Sequence, residues 1–447
     1  MRERIPDKNI WLIYAAVFIL GLAYGDSIAL TSLHLDAVGF TKAQIGSLAA
    51  WFAGGIVLMS LPAGGLVRRF SAKWTLVVAM LGYAVAVALF GFQRDYASVA
   101  AIRFVDGACS VAIWVSCETI LLSRSSPQNK AFVTSLYAMA MALGYAGGGG
   151  VARGLLALTT MPWAFVAAGV LAILGTALVA ARLDRDTAEP HVHEVTHHAA
   201  SDEQAPSPQG TSGLAPSPQG TSGLAPSPQG TSDSHAPQAG LSGPELAWRI
   251  KTSCFATFSY GYFQASVVLF LPLYLVEQKH VDKAQTVLMP AIFALGMLLF
   301  ANQAGKFGDR HGHLRVMRIL AAIGTAMVLG FVFLDAWIAM EIAIFVAGAT
   351  LAAISPVSLA LQGKVAHPRD YARANAIYNV FYAAGMLLGP PVSSRLFQDF
   401  GGAVMLYHLA ALWGSFVLFT TVFAKDDPAA RKVRIAAVTA PREELRG

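Results

Sequence analysis

The chain has 447 residues, of which 55% are hydrophobic and only 13% charged, and its mean hydropathy is +0.54. Soluble domains carry roughly 25% charged residues, so this composition excludes an ordinary water-soluble globular protein. The net charge of +6 sits in short polar segments between long apolar ones, which gives no support to a nucleic-acid partner and points to a multi-pass membrane protein.

In chain order, apolar stretches are predicted at roughly 10–35, 43–66, 74–92, 97–122, 131–156 and 163–181. Each approaches or exceeds the ~20 residues that cross a bilayer. The first has no small-residue cleavage site behind a short apolar core, so it is read as a retained helix and not a signal peptide. It holds one acid, Asp26, beside Tyr24. The fourth stretch opens with Arg103 and Asp106, which at i and i+3 share a helix face. Either charge alone at mid-membrane costs about 2.5–3.5 kcal/mol, so the pair is expected to face a wet cavity or each other. The alternative is an Arg103 that snorkels to headgroups while Asp106 neutralises it.

Residues 184–246 break the pattern. They hold His191, His193, His197 and His198 and three copies of Ala-Pro-Ser-Pro-Gln-Gly-Thr-Ser starting at Ala205, Ala215 and Ala225. Such a segment cannot bury enough apolar surface to order itself, so a disordered tether is expected. Its histidines lack a preformed geometry for metal; no metal site and no cofactor are predicted. Cys109 and Cys117 lie on one helix, about 12 Å apart in rise, and no disulfide is expected.

Six further stretches follow at roughly 248–276, 286–304, 314–334, 337–361, 372–397 and 403–423. They repeat the first six. Lys42-Ala43-Gln44 recurs as Lys283-Ala284-Gln285, Gly64 as Gly305, Tyr137 as Tyr378, Gly144 as Gly385 and Gly148 as Gly389, with one offset, 368 − 127 = 241, that also relates Pro127 to Pro368. A constant offset means a duplicated unit with conserved helix and loop lengths. Two six-span halves, 1–183 and 247–424, joined by the 184–246 linker and followed by a 425–447 tail, form a transporter plan.

After the eighth stretch come Gly305, Asp309, Arg310, Gly312 and Arg315. They resemble the Gly-x-x-x-Asp-Arg-x-Gly-x-x-Arg signature of the major facilitator superfamily, which implies an all-α membrane fold of twelve transmembrane helices in two repeats, and a gate latch in this loop. The first-half counterpart is degraded: Arg68 and Arg69 follow Gly64, and Ser71 replaces the second glycine. Glu118 is the acid expected to neutralise Arg68 and Arg69. Arg103-x-x-Asp106-Gly107 is similar to the superfamily's fourth-helix motif, whose arginine is associated with proton coupling. The resemblance also implies a central cavity lined by the first, fourth, seventh and tenth helices. Asp26 is expected there as a titratable group, or tied to Arg103. Tyr24, Tyr260, Tyr262, Gln264 and Ser355, with Asn379 and Tyr382, are the expected polar lining. Gly385 to Pro391 resembles an antiporter motif, but on the eleventh span and not the fifth. The run from Glu118 to Tyr137, with Gly312-His313, looks like the YcaD-like bacterial permeases of the superfamily.

Basic residues concentrate on the side shared by the N-terminus and the even-to-odd loops, which predicts cytoplasmic termini in a bacterial inner membrane. The expected function is secondary transport of a small organic solute by alternating access with proton coupling, by a monomer in the lipid bilayer. A passive uniporter and an efflux antiporter remain open alternatives. The sequence has no Gly-x-Ser-x-Gly or His-Glu-x-x-His and no ATP-binding loop, so neither an enzyme nor a primary pump is expected.

Overall fold

A computed structural model describes residues 7–125, 130–184, 242–367 and 370–424, and every regular element within them is a helix. The first half builds α1 (Lys8–Val38), α2 (Lys42–Phe70), α3 (Ala72–Phe90), α4 (Tyr96–Ser123), α5 (Lys130–Leu158) and α6 (Met161–Arg182). The second builds α7 (Gly243–Arg249), α8 (Lys251–Gln278), α9 (Lys283–Thr286), α10 (Met289–His311), α11 (His313–Phe331), α12 (Trp337–Ala347), α13 (Ile354–Val365), α14 (Tyr371–Phe400) and α15 (Gly402–Val422). The pair α9–α10 makes one crossing, and α12 continues through a π-helical turn, Gly348–Ala352, into α13 as another. Among the described residues each half then holds six long helical passes: α1 to α6, then α8, α9–α10, α11, α12–α13, α14 and α15.

Ten of these passes are, among the described residues, long and apolar enough by themselves to span a membrane. The other two, α5 and α14, carry the glycine tract and a set of asparagines and prolines, and each buries a face against a partner helix. Along α1 and α5, Gly21 faces Gly144 and Gly25 faces Gly148 so closely that no Cβ fits between them. Gly385 and Gly389 of α14 do the same against Phe258 and Tyr262 of α8. The repeated glycines thus set the same close helix contact in both halves. Side chains such as Leu58, Val78, Val170 and Phe333 point outward and are exposed, as a lipid-facing surface requires.

The predicted boundaries shift in three places. The seventh span is preceded by α7, a separate short helix that begins at Gly243 and packs Leu246 and Ile250 against Ala366 and Ala374. The signature segment after the eighth span is not a loop: α10 runs on to His311, and the chain reverses at the single residue Gly312. Its first-half equivalent reverses in the same way at Ser71, after α2 has run on to Phe70. Of the disordered linker expected at 184–246, residues 185–241, with the histidines and the tandem repeats, lie outside the described residues, as does the tail at 425–447; the linker's last residues, 243–246, are helical, in α7.

These one-residue turns need a left-handed backbone. Gly312 has φ +93 and its repeat counterpart Ser71 (312 − 241 = 71) has φ +75, while Gly39 at φ +101 matches His280 at φ +53 (280 − 241 = 39). The repeat preserves the conformation even where it does not preserve the glycine. Ser71 combines its φ with ψ 153, a region that is essentially glycine-only and costs on the order of 1–3 kcal/mol, and its hydroxyl has no hydrogen-bond partner among the described residues. Ser71→Gly is therefore expected to stabilise the first half by about 1 kcal/mol, seen as a melting temperature raised by about 2–4 °C in detergent. An unchanged or lowered melting temperature contradicts the strain.

Candidate functional site

The two halves enclose a central cavity of about 180 Å³, with Tyr24, Phe52, Arg103, Trp114 and Tyr145 on one wall and Tyr260, Gln264, Met297 and Tyr382 on the other. Polar groups on the first wall form one chain. Arg103 Nη1 donates to Asp106 Oδ2 at 2.6 Å, the Ser110 hydroxyl donates to Asp106 Oδ1 at 3.4 Å, and Ser110 Oγ lies 2.6 Å from the Tyr24 hydroxyl. The guanidinium also stacks over Phe52, 4.4 Å from its ring centre, and both side chains line the cavity. Behind Tyr24, the Tyr83 ring lies 4.4 Å away and its hydroxyl is 3.2 Å from Ser27 Oγ. On the second wall the Tyr382 hydroxyl donates to Gln264 Oε1 at 3.1 Å, and Tyr260 stacks near Tyr382 with ring centres 6.1 Å apart. A solute entering here meets flat apolar faces, a few hydroxyl and amide groups, and one guanidinium with donors to spare.

Four expected cavity residues lie elsewhere. Tyr24, Ile28 and Thr31 are the α1 residues that line the cavity; Asp26, two positions after Tyr24 and so about 200° round the helix, points away from it. Asp26 is fully buried, and among the described residues neither carboxylate oxygen has a hydrogen-bond partner, so the alternative of a tie to Arg103 is absent. Tyr262 turns to α15, its hydroxyl 3.1 Å from His408 Nε2. Ser355 faces Tyr378 at 3.3 Å, and Asn379 has a buried, unpartnered Oδ1 away from the cavity lining. Conversely, sequence reasoning missed Tyr145, Trp114 and Ser110. Tyr145 lies in the glycine-rich run 144–150 of the fifth stretch, and neither of the others carries a pattern that separates a cavity wall from a helix interface.

Side-chain links between the halves gather at one end, the end opposite the described chain termini. Lys42 of α2 pairs with Glu277 of α8 at 2.7 Å and reaches Asp36 of α1 at 3.7 Å. Glu277 and Asp36 are repeat counterparts (277 − 241 = 36), so one lysine bridges equivalent acids across the two-fold relation. Lys42 also lies over the Phe397 ring, and the backbone N–H of Ala43 donates to Gln398 Oε1 of α14 at 3.0 Å.

At the terminal end, the ion pairs of the described residues stay within a half. Asp309 pairs with Lys364 at 2.8 Å and lies 3.5 Å from His313, while Asp7 binds Arg124 and Asp184 binds Lys8, each at 3.1 Å. The Asn9 amide, helped by Lys8, holds the Asp184 carboxyl below its ordinary range. Arg310 and Arg315 are exposed, as are Arg68 and Arg69. Glu118 does not neutralise Arg68 or Arg69: it is half-buried in α4, and among the described residues neither arginine forms a salt bridge. The two arginines lie in the last turn of α2, where a helix C-terminus accommodates positive charge without an acid.

The sequence pattern of the Major Facilitator Superfamily matches residues 9–228 and 253–445. An uncharacterized MFS-type transporter of Enterobacter sp. (strain 638) is 22% identical over 426 residues, covering 94% of this chain and 97% of its own length. The uncharacterized MFS-type transporter YcaD of Escherichia coli (strain SMS-3-5 / SECEC) is 22% identical over 409 residues, 91% of this chain and 93% of its own. Among solved structures, the nucleoside transporter NupG superposes with a TM-score of 0.69 at 12% identity, covering 94% of this chain and 100% of that one. A bacterial homolog of the human lysosomal transporter Spinster, inward-facing and unoccupied, gives 0.67 at 13% identity, covering 94% and 99%.

Proposed function

The chain belongs to the Major Facilitator Superfamily and is a multi-pass membrane transporter, and we propose that it moves a small organic solute by alternating access, coupled to protons through the Arg103–Asp106 pair. The observation that carries this is the cavity between halves whose cross-links gather at one end. With both termini cytoplasmic in a bacterial inner membrane, as the basic-residue asymmetry argues, that end would be periplasmic, and cross-links gathered there support reading the state as inward-facing.

The cavity's 180 Å³ falls below the roughly 300–1,000 Å³ of drug-sized sites, which favours a compact solute, neutral or singly acidic, with a planar face for the tyrosines. An acceptor group on the solute competes with Asp106 for the Arg103 guanidinium. When Arg103 turns to the solute, Asp106 loses its cation in a buried place and takes a proton, so solute binding and proton binding become linked. A passive uniporter is the second reading, favoured by the closeness of the pair: at 2.6 Å it is complete without a solute.

The outer clasp tests alternating access. With Cys109, Cys117 and Cys254 replaced by serine, a single cysteine at Ser394, which packs against Gly46 across the closed end, reports opening by its reaction with a membrane-impermeant maleimide. Glu277→Gln removes a partly exposed ion pair worth on the order of 1 kcal/mol, so labelling should rise about fivefold, alongside altered uptake in a proteoliposome screen of solute pools. No change in labelling in Glu277→Gln or Lys42→Ala means that this end is not a moving gate.

A further inference from the structure

On the outer surface of the second half, away from the central cavity, a groove of about 330 Å³ runs between α10 and α11. Its apolar wall is Phe300, Phe307, Ile319 and Leu320, with Gln303 one turn along from Phe300, its floor is Ala349 in the π-helical turn, and its mouth at the terminal end carries His311 and Arg315. Phe300, Phe307 and Ile319 are 45%, 56% and 49% exposed, so the groove opens to the surrounding membrane. Neither Gln303 nor Arg315 has a hydrogen bond or ion pair among the described residues, and His311 meets Phe307 of its own helix turn, by a 3.3 Å approach to the carbonyl oxygen and by ring contact.

The dimensions and the charge select an occupant. From Phe300 to His311 is eleven residues of helix, about 16 Å of rise, close to the ~15 Å depth of one leaflet's hydrocarbon. One end of the groove therefore lies near the bilayer centre and the other at headgroup level, where an unpaired guanidinium and an imidazole wait. Basic pockets between transmembrane helices hold anionic headgroups. The site is also particular to this half: the first-half counterparts of His311 and Arg315 are Phe70 (311 − 241 = 70) and Trp74 (315 − 241 = 74), and the corresponding stretch of α4 is plain α-helix without a π turn. A repeat that diverges from an aromatic pair to a cationic pair at a groove mouth has changed what that mouth meets.

We propose that this groove binds one acidic phospholipid of the leaflet on the terminal side, its phosphate on Arg315 and His311 and one acyl chain along Phe300, Phe307 and Ile319. The proposal does not depend on the transported solute or on proton coupling.

Native mass spectrometry of the purified full chain, titrated with phosphatidylglycerol or phosphatidylcholine of the same acyl chains, tests it. The expected result is one phosphatidylglycerol retained per chain in preference to phosphatidylcholine. The double change Arg315→Gln/His311→Gln lowers that affinity at least fivefold, and Arg69→Gln, an exposed cation at the same end of the other half, leaves it unchanged. Ile319→Trp, which fills the groove and leaves the cations in place, lowers it as well. All four positions are exposed, and a monodisperse gel-filtration peak checks that each variant is folded. Equal retention of both lipids overturns the proposal, as does equal loss in Arg69→Gln. Full binding by Ile319→Trp, or displacement of the lipid by free glycerol phosphate, reduces the site to a surface anion contact and also overturns it.

Discussion

Replacing Gly148 with valine should leave no folded transporter in the membrane. A Cβ at this position would stand 2.4 Å from the Leu22 carbonyl oxygen, 2.6 Å from Gly25 Cα and 2.7 Å from the Asp26 nitrogen, all backbone atoms that cannot rotate aside. The helices would have to separate along a seam where Gly21, Gly25 and Gly144 meet the same limits. Ordinary overpacking costs about 1–3 kcal/mol, and here the obstruction is main chain on both sides, so the loss exceeds that range. A fluorescent fusion expressed and run by gel filtration should lose its monodisperse peak in Gly148→Val. The control lies two residues away. Gly150 has nothing within 4 Å of an added Cβ, so Gly150→Ala should behave like the parent, with a small gain from helix propensity. Comparable peaks for Gly148→Val and the parent would show that the α1–α5 seam is looser than described.

The second large effect concerns the buried pair. The Arg103 and Asp106 side chains are 14% and 12% exposed, and removing one partner of a buried pair costs on the order of 3–5 kcal/mol because the other charge is left alone. Arg103→Ala is expected to lower the melting temperature markedly, and Arg103→Gln/Asp106→Asn together to recover much of the loss. In proteoliposomes, Asp106→Asn should abolish gradient-driven accumulation, a drop of about tenfold or more, while solute exchange continues. Arg103→Lys should keep part of the coupling, since the charge survives without the planar fork. Asp26→Asn serves as the comparison. It sits off the cavity with no partner to lose, so the amide should fold normally and keep accumulation. Accumulation lost in Asp26→Asn and kept in Asp106→Asn transfers the coupling role to Asp26. Accumulation untouched in both leaves the uniporter reading as the better account.

Much of the architecture was legible before any coordinates. Apolar segments of bilayer length can only be helices, because a membrane offers no water to satisfy open backbone groups, and the constant offset of the repeat located two equivalent halves. It also marked Gly144 with Gly385 and Gly148 with Gly389, positions whose shared need is a close backbone contact. Even the odd turn at Ser71 is readable as the partner of Gly312, although its backbone angle is not.

What only the tertiary structure decided is direction. A membrane helix is apolar nearly all round, so its sequence carries little of the periodicity that tells inside from outside in a soluble helix. For that reason Tyr24 and Asp26, two residues apart, could both be assigned to the cavity, whereas the fold turns one into it and buries the other behind it. Glu118, the acid expected to neutralise Arg68 and Arg69, is likewise half-buried on α4 while they end α2 in the open. The pairings that do form, Lys42 with Glu277 and Asp309 with Lys364, join residues 235 (277 − 42) and 55 (364 − 309) positions apart. Sequence alone determined which residue types had to be neutralised or packed in this protein; the way its helices pack determined which distant residue does so.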